Sequence, residues 1–299
     1  MTDFLVTGAS GHLGQSVLHH LLDTLKIEPS RIAAASRKPE TLSAWAARGV
    51  ATRAVDFNDA ASLDRAFAGV KRLLIISTDA LDAEGTRLKQ HKAAVKAAAK
   101  AGVDHIVYTS LPNAETSLVT FAPDHAGTEA AIAQSGVSGW TMLRNSWYFE
   151  NLFHSMPQAL ASGQWYSAAG QGKLAHIWRE DQALAAATAL ADGFQGQRTL
   201  TLSGSASYTA DEIAALVSKA TGKPLAVVHV PLEGLIQGMI GAGIPAPVAT
   251  VLGSFDAAIK AGHLDGDSRD FEALTGRKPR SFEDWLKENA GKLAAPAAH

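Results

Sequence analysis

The run Phe4-Leu5-Val6-Thr7-Gly8-Ala9-Ser10-Gly11-His12-Leu13-Gly14 limits what this chain can fold into more than any other stretch. A short apolar strand enters a turn with glycine at positions 8, 11 and 14, and a helix follows. Leu13, Val17, Leu21 and Leu25 share one stripe of that helix, flanked by Leu18 and Leu22, so one face is built for burial. Each glycine has its own task in such a turn. One allows the sharp exit from the strand, one lets a phosphate approach the backbone, and one lets helix and strand pack closely. The helix N-terminus adds free N–H groups and the positive end of its dipole. Gly8, Ala9, Ser10, Gly11, His12 and Leu13 are therefore expected to hold the pyrophosphate of a dinucleotide.

The rest of the chain repeats the strand-then-helix rhythm of βαβ units. Strands are predicted at 4–7, 31–36, 50–56, 73–77, 105–110, 141–144 and 199–203, with Asn58 or Asp59 capping the helix that carries Leu63 and Phe67. The Ala- and Lys-rich stretch from Glu84 to Ala101 is a strong helix former that Gly102 stops, and its lysines read as a solvated face. After Arg144 come aromatics, a Gly/Ala-rich stretch at 161–172, a helix at 211–220, a β-prone run at 224–231 and a Gly/Pro-broken segment at 238–247. Ser281 and Asp284 stand in capping-box positions of a last helix. The expected fold is α/β, a Rossmann-type doubly wound parallel sheet with a smaller C-terminal substrate-covering α/β part. Residues 1–150 form the nucleotide domain, with a returning segment near 175–205, and 151–299 mainly the smaller one.

Composition removes several classes of function. The 299 residues are 46% hydrophobic and carry a formal net charge of −2, which gives nucleic acid or an anionic membrane no basic surface to bind. With no cysteine, a disulfide framework, a thiolate nucleophile and an iron–sulfur cluster are excluded. No histidine shows ligand spacing with carboxylates, so no metal is expected. The start Met1-Thr2-Asp3 fits no signal peptide and no run suits a membrane span, so a cytoplasmic protein is expected, as a monomer or homodimer.

An NAD-specific site places Asp or Glu at the end of the second strand. Here that strand runs into Arg37-Lys38, two cations where a 2′-phosphate would sit. The planar guanidinium of Arg37 suits phosphate, so NADP(H) is expected; the alternative is a pair of solvated loop cations. Asp56, ending the third strand, either meets the adenine amino group or forms a turn. Ser77, Thr78 and Asp79 end the fourth strand, where the chain should pass the ribose and nicotinamide, because open parallel sheets collect ligands outside their carboxyl ends.

The catalytic pair Tyr-x-x-x-Lys is missing. Four residues after Tyr108, Tyr148, Tyr166 and Tyr208 stand Pro112, Leu152, Gly170 and Glu212. The G-x-x-G-x-x-G turn and the fragments Tyr108-Thr109-Ser110, Asp124-His125-Ala126-Gly127-Thr128-Glu129 and Leu143-Arg144-Asn145-Ser146-Trp147-Tyr148-Phe149-Glu150-Asn151 resemble the NmrA-like atypical short-chain dehydrogenase/reductases. Within them the chain is most similar to the flavin-free NAD(P)H:quinone oxidoreductases of type 2, through to Leu274–Arg280. The resemblance implies NADPH held by the glycine loop, Arg37, Ser77–Asp79 and the run Asn145, Ser146, Trp147, Tyr148, Phe149 and Glu150, and a quinone reduced by direct hydride transfer.

A quinone tolerates the missing tyrosine. Hydride addition leaves a delocalised hydroquinone anion, whereas an unactivated ketone would leave a localised alkoxide that needs a donor in place. The acceptor is therefore expected to be a small quinone or a related electron-poor carbonyl. Three residues are candidates for contact with it. His125, one turn from Glu129, either acts as a donor whose pKa the carboxylate raises or is an ordinary helix-surface pair. Ser110 either polarises the substrate oxygen or simply ends its strand, and Tyr148 is the pick from the aromatic wall, Phe149 and Phe153 being read as core. Asn145 is expected to bond the nicotinamide carboxamide. Two other functions compete: an NADP-binding redox-sensing regulator without turnover, and a reductase of bulky ketones or benzylic ethers in which His125 is essential.

Overall fold

In the computed structural model, which describes residues 2–80, 85–266 and 268–295, the described elements of the first half of the chain alternate strand and helix. They run β1 (Phe4–Val6), α1 (His12–His19), β2 (Ile32–Ser36), α2 (Ser43–Ala47), β3 (Ala51–Ala54), α3 (Ala60–Phe67), β4 (Arg72–Ile75), α4 (Thr86–Lys100), β5 (His105–Ser110), α5 (Ala122–Ala133) and β6 (Gly139–Asn145). There follow α6 (Leu152–Ser162), β7 (Gln164–Ser167), α7 (Arg179–Ala191), β8 (Gln197–Leu202), α8 (Ala210–Thr221), β9 (Ala226–His229), α9 (Leu232–Gly241), α10 (Ala246–Lys260), α11 (Asp270–Thr275) and α12 (Phe282–Leu293).

Seven parallel strands form one sheet in the order β3-β2-β1-β4-β5-β6-β8. The order reverses between β1 and β4, the position where doubly wound sheets open a crevice for ligand. Strand alternation supplies a core on each side. Val6, Val107 and Leu143 meet Val17, Leu18, Ala186 and Leu190 on one face. Leu5, Ile106 and Met142 meet Leu63, Phe67, Ala94 and Ile132 on the other. Nine of the residues of α7 are buried, most of them alanine, so this helix lies close against the sheet. The doubly wound α/β expectation is borne out, and all seven predicted strands belong to this one sheet.

The remaining elements gather over the carboxyl ends of β6 and β8. Phe149, Met156, Val217, Phe282 and Trp285 make a separate core among α6, α8 and α12. A two-stranded parallel sheet of β7 and β9 lies beside them, and β7 falls inside the Gly/Ala-rich stretch that gave no strand signal. The segment expected to be broken at 238–247 holds two helices, α9 and α10, interrupted only between Gly241 and Ala246. Ser281 caps α12 by accepting from the Asp284 N–H at 3.2 Å, while the Asp284 carboxylate takes the Ser281 hydroxyl proton rather than a backbone N–H. Among the described residues no helix is long and apolar enough to cross a membrane.

The glycine turn is fixed by contacts that tolerate no side chain at one position. A Cβ on Gly14 would stand 2.3 Å from the Gly8 carbonyl oxygen and 2.7 Å from the Ala9 Cα, both backbone atoms. Gly14→Ala is expected to cost about 1–3 kcal/mol of stability, the range for overpacking a rigid site. Urea unfolding at neutral pH checks this; an unchanged midpoint would contradict it.

Candidate active site

The crevice is built outward from Thr7. Its hydroxyl donates to the Leu74 carbonyl at 3.0 Å and accepts from the Ile76 N–H at 3.1 Å, fastening the glycine turn to the end of β4. Gly8 turns with φ +61°, in the left-handed region, with Ile76 directly beneath it. Gly11 then caps α1 with no side chain, which leaves the first-turn N–H groups of α1 free for an anion. Gly8, Ser10, Gly11 and His12 are exposed around this opening, whereas Ala9 and Leu13 face the core. The geometry fits a pyrophosphate.

Ser10 and Ser36 meet through their hydroxyls at 3.0 Å, joining the glycine loop to the end of β2. The Lys38 N–H donates to the Ser36 hydroxyl, crooking the chain around Arg37. Arg37 is exposed, and among the described residues it takes part in no ion pair. A free guanidinium beside the loop is what a 2′-phosphate requires. The Asp56 Oδ1 accepts from the Asn58 N–H at 2.8 Å and shapes a turn.

At the ends of β5 and β6 lie three buried polar atoms without a partner: Ser110 Oγ, Asn145 Oδ1 and Ser146 Oγ. Unsatisfied polar groups cost free energy, so a cluster of them at strand ends marks a place prepared for a ligand. Asn145 and Ser146 are held from behind, where the Ser146 N–H donates to Leu202 and the Gln182 amide donates to the Ser146 carbonyl at 2.7 Å. A polar cavity of about 290 Å³ opens beside Ser146, between Asn113, Arg144, Thr201, Ser203 and the loop at Leu264–Gly266. A larger groove of about 570 Å³ runs along the start of α12, and its walls are tied by the Arg280–Glu288 and Lys287–Asp284 pairs.

The aromatic run divides. Phe149 is buried in the core with Phe282 and Trp285. Trp147 belongs to a different cluster and packs at a 46° tilt against Phe255 of α10, ring centres 3.7 Å apart. Tyr148 is half-buried, with the Arg179 guanidinium 5.0 Å from its ring centre, and burial pushes its hydroxyl up to about 12, so it stays protonated. The Glu150 carboxylate accepts from the Arg179 N–H and caps the start of α7.

His125 is placed differently from either sequence reading. It is 3% exposed, and its expected partner Glu129 turns away to bind Arg144 through both carboxylate oxygens, at 2.6 and 3.1 Å. Arg144 also takes Glu115 at 2.5 Å. Arg87, necessarily a donor, gives a hydrogen bond to His125 Nε2 at 2.8 Å; Nδ1 therefore carries the proton and donates to the Tyr108 hydroxyl oxygen, also at 2.8 Å. Burial, then the charge of Arg87, holds the His125 pKa well below the ordinary imidazole value. The carboxylate that was expected to raise it is spent on Arg144.

Sequence reasoning also missed His91 and Arg87. Both lie on the Lys-rich helix α4, yet they are buried while Lys89, Lys92, Lys96 and Lys100 face solvent. The stripe Arg87, His91, Ala94, Val95 and Ala98 at helical spacing was a legible signal for an inward face. His91 Nε2 accepts the Thr78 N–H at 3.0 Å, and its Nδ1 lies 3.0 Å from Thr128 Oγ1.

A crevice of this kind, at the switch point of a parallel sheet and opened by a glycine turn, is where Rossmann-type proteins hold a dinucleotide. Comparison with known proteins narrows the class: the model of the NmrA-like family matches residues 2–286, and the chain belongs to that family. It is 36% identical over 271 residues to Quinone oxidoreductase 2 of Escherichia coli, covering 91% of this chain and 93% of that one. The structure of an NADPH-dependent quinone oxidoreductase from Escherichia coli, complexed with NADPH, is similar at a TM-score of 0.90 and 35% identity, over 97% of this chain and 99% of that one. A triphenylmethane reductase from Citrobacter sp., complexed with NADP(H), is similar at a TM-score of 0.89 and 34% identity, over 96% and 100% of the two chains.

Four buried histidines make the fold acid-sensitive. Burial pulls His91 and His176 down to about 3 and His105 to about 4, and His125 lies well below its ordinary value. Below an unfolded imidazole pKa of about 6.5 only the unfolded chain takes up these protons, so stability is full above that pH and lost on acidification. Denaturant melts between pH 7 and pH 5 should show stability falling by about 1.4 kcal/mol per pH unit for each such histidine once the unfolded chain is protonated. A flat profile would contradict the burial of these rings.

Proposed function

We propose that the protein is a flavin-free reductase of quinones that uses NADPH as its hydride donor. The coarser statement, an NADP(H)-dependent oxidoreductase, follows from family membership and from relatives that cover nearly the whole chain. The glycine turn, Arg37 and the ends of β4 and β6 suit NADPH, which when bound supplies the hydride.

The observation that carries the quinone reading is the neutral, engaged state of His125. Both ring nitrogens are occupied by Arg87 and Tyr108, and Tyr-x-x-x-Lys is absent, so neither His125 nor a Tyr/Lys pair supplies a charged acid. The chain offers hydroxyls instead: Ser110 Oγ and Ser146 Oγ can donate hydrogen bonds to an acceptor oxygen, and Tyr148 is a further neutral donor. Hydrogen bonds of this strength suffice for an acceptor that delocalises its charge, with the second proton taken later from water. The cavity beside Ser146 lies at the small end of ligand pockets and suits a small flat acceptor.

One observation favours a second acceptor class, triarylmethane cations. Arg144 is neutralised by Glu115 and Glu129, and Asp265 lines the same cavity, so the pocket leans negative. The Citrobacter relative is a triphenylmethane reductase. A carbocation needs no proton at all.

Steady-state NADPH oxidation with benzoquinone, naphthoquinone and a triarylmethane dye separates these readings. Turnover of quinones is expected, with the dye slower; a dye-only activity, or tight NADPH binding without any turnover, would overturn the quinone reading. Arg37→Ala is expected to reduce the NADPH-to-NADH ratio of kcat/KM by about tenfold or more, the loss of a charge-assisted phosphate contact. An unchanged ratio would remove Arg37 from the site.

A further inference from the structure

A buried polar cluster lies between α4, α5 and β5, and the proposed chemistry leaves its His91 unused. His91 stands at its centre with no exposed surface. The hydrogen-bond pattern around it admits one tautomer. The Thr78 backbone N–H is an obligate donor, so Nε2 presents its lone pair and Nδ1 carries the proton. Thr128 gives its own hydroxyl proton to the Asp124 carbonyl at 2.6 Å, which leaves its oxygen free to accept from Nδ1. The Tyr108 hydroxyl lies 3.3 Å from the same nitrogen.

The Thr78 end of this chain faces the cofactor crevice. The residues just before it are locked from the other side: Ile76 under Gly8 and on Thr7 Oγ1, and the Ser77 N–H on Thr109 Oγ1 at 2.9 Å. The β4 ladder ends at Ile75, and the backbone beyond it is held by single contacts. Among the described residues between β4 and α4, Thr78 is the last whose backbone N–H is bonded, and His91 is what holds it.

We infer that His91 is a positioning residue for the nicotinamide cofactor: by accepting the Thr78 N–H it sets the course of Ser77–Asp79 along the crevice, although it touches no ligand. The inference rests on the reading that NADPH passes these strand ends. It gives α4 a part in cofactor binding, carried by Nε2 alone, whereas Nδ1 serves only the helix packing through Thr128.

The two nitrogens can be tested separately. A glutamine at 91 places an acceptor near the position of Nε2 and restores the Thr78 contact; an asparagine reaches only as far as Nδ1 and restores the Thr128 contact. NADPH dissociation constants of the full-length wild type, His91→Gln, His91→Asn and His91→Ala are measured by titration, with a thermal melt of each. His91→Ala and His91→Asn are expected to bind NADPH about tenfold more weakly, the scale of a donor left without its partner, and His91→Gln within about threefold of wild type. In turnover the loss should appear in the KM for NADPH with kcat largely kept. If Gln and Asn bind alike, or every folded variant binds as wild type does, His91 is only a packing residue and the inference falls. Should His91→Ala fail to fold, the Gln and Asn pair still decides. A wild type that binds no NADPH would instead overturn the cofactor reading itself.

Discussion

Thr7 and Gly14 set the geometry on which the crevice depends. The Thr7 side chain bridges the Leu74 carbonyl and the Ile76 N–H, so the strand that enters the glycine turn and the strand across the switch point are joined by one hydroxyl. Gly14 lets α1 sit against the Gly8 carbonyl, closer than any side chain permits. Together they aim the uncapped N-terminus of α1 at the place where the sheet reverses. The Ser10–Ser36 contact then places Arg37 beside the same opening. The glycine turn, the Arg37 loop and the end of β4 share one frame, and a change in any of these contacts would be felt by the others.

The far half of the crevice follows a different logic. Its polar groups, Ser110, Asn145 and Ser146, are buried without partners, while its charged groups are neutralised or locked. Arg144 is held by two glutamates, and His125 sits between a guanidinium and a phenol. Burying a charge without compensation is expensive, and here each cation is either paired or set against hydrogen-bond acceptors and an aromatic face, as Arg87 is above Phe121. The result is a region rich in neutral hydrogen-bond donors and poor in acids, which favours acceptors that stabilise the incoming electrons themselves.

Much of this was legible in the sequence. The glycine spacing, the apolar stripe of α1 and the seven strand runs are local patterns, and local patterns survive folding where one face or both are buried. The placement of Arg37 could be read because it depends only on where β2 ends. What escaped were features decided by tertiary partners. The i,i+4 spacing of His125 and Glu129 suggested a pair, but Arg144 on the neighbouring strand offers Glu129 a bidentate partner that a neutral imidazole cannot match. His91 was hidden by the lysines around it, although its stripe with Ala94, Val95 and Ala98 pointed inward. β7 is short, and its Gly/Ala-rich surroundings mask a strand that forms only because β9 lies alongside.

The central claim is that this chain passes a hydride from NADPH straight to a quinone, with no flavin and no charged acid from the protein. An anaerobic single-turnover experiment on the purified protein, free of flavin absorbance, tests it most directly. NADPH is mixed with a quinone and followed at its own absorbance band, and the run is repeated with NADPH deuterated at the transferred position. The account predicts stoichiometric loss of NADPH absorbance, slowed by a primary isotope effect. Tight NADPH binding with no loss of absorbance, or turnover that appears only when flavin is added, would contradict it.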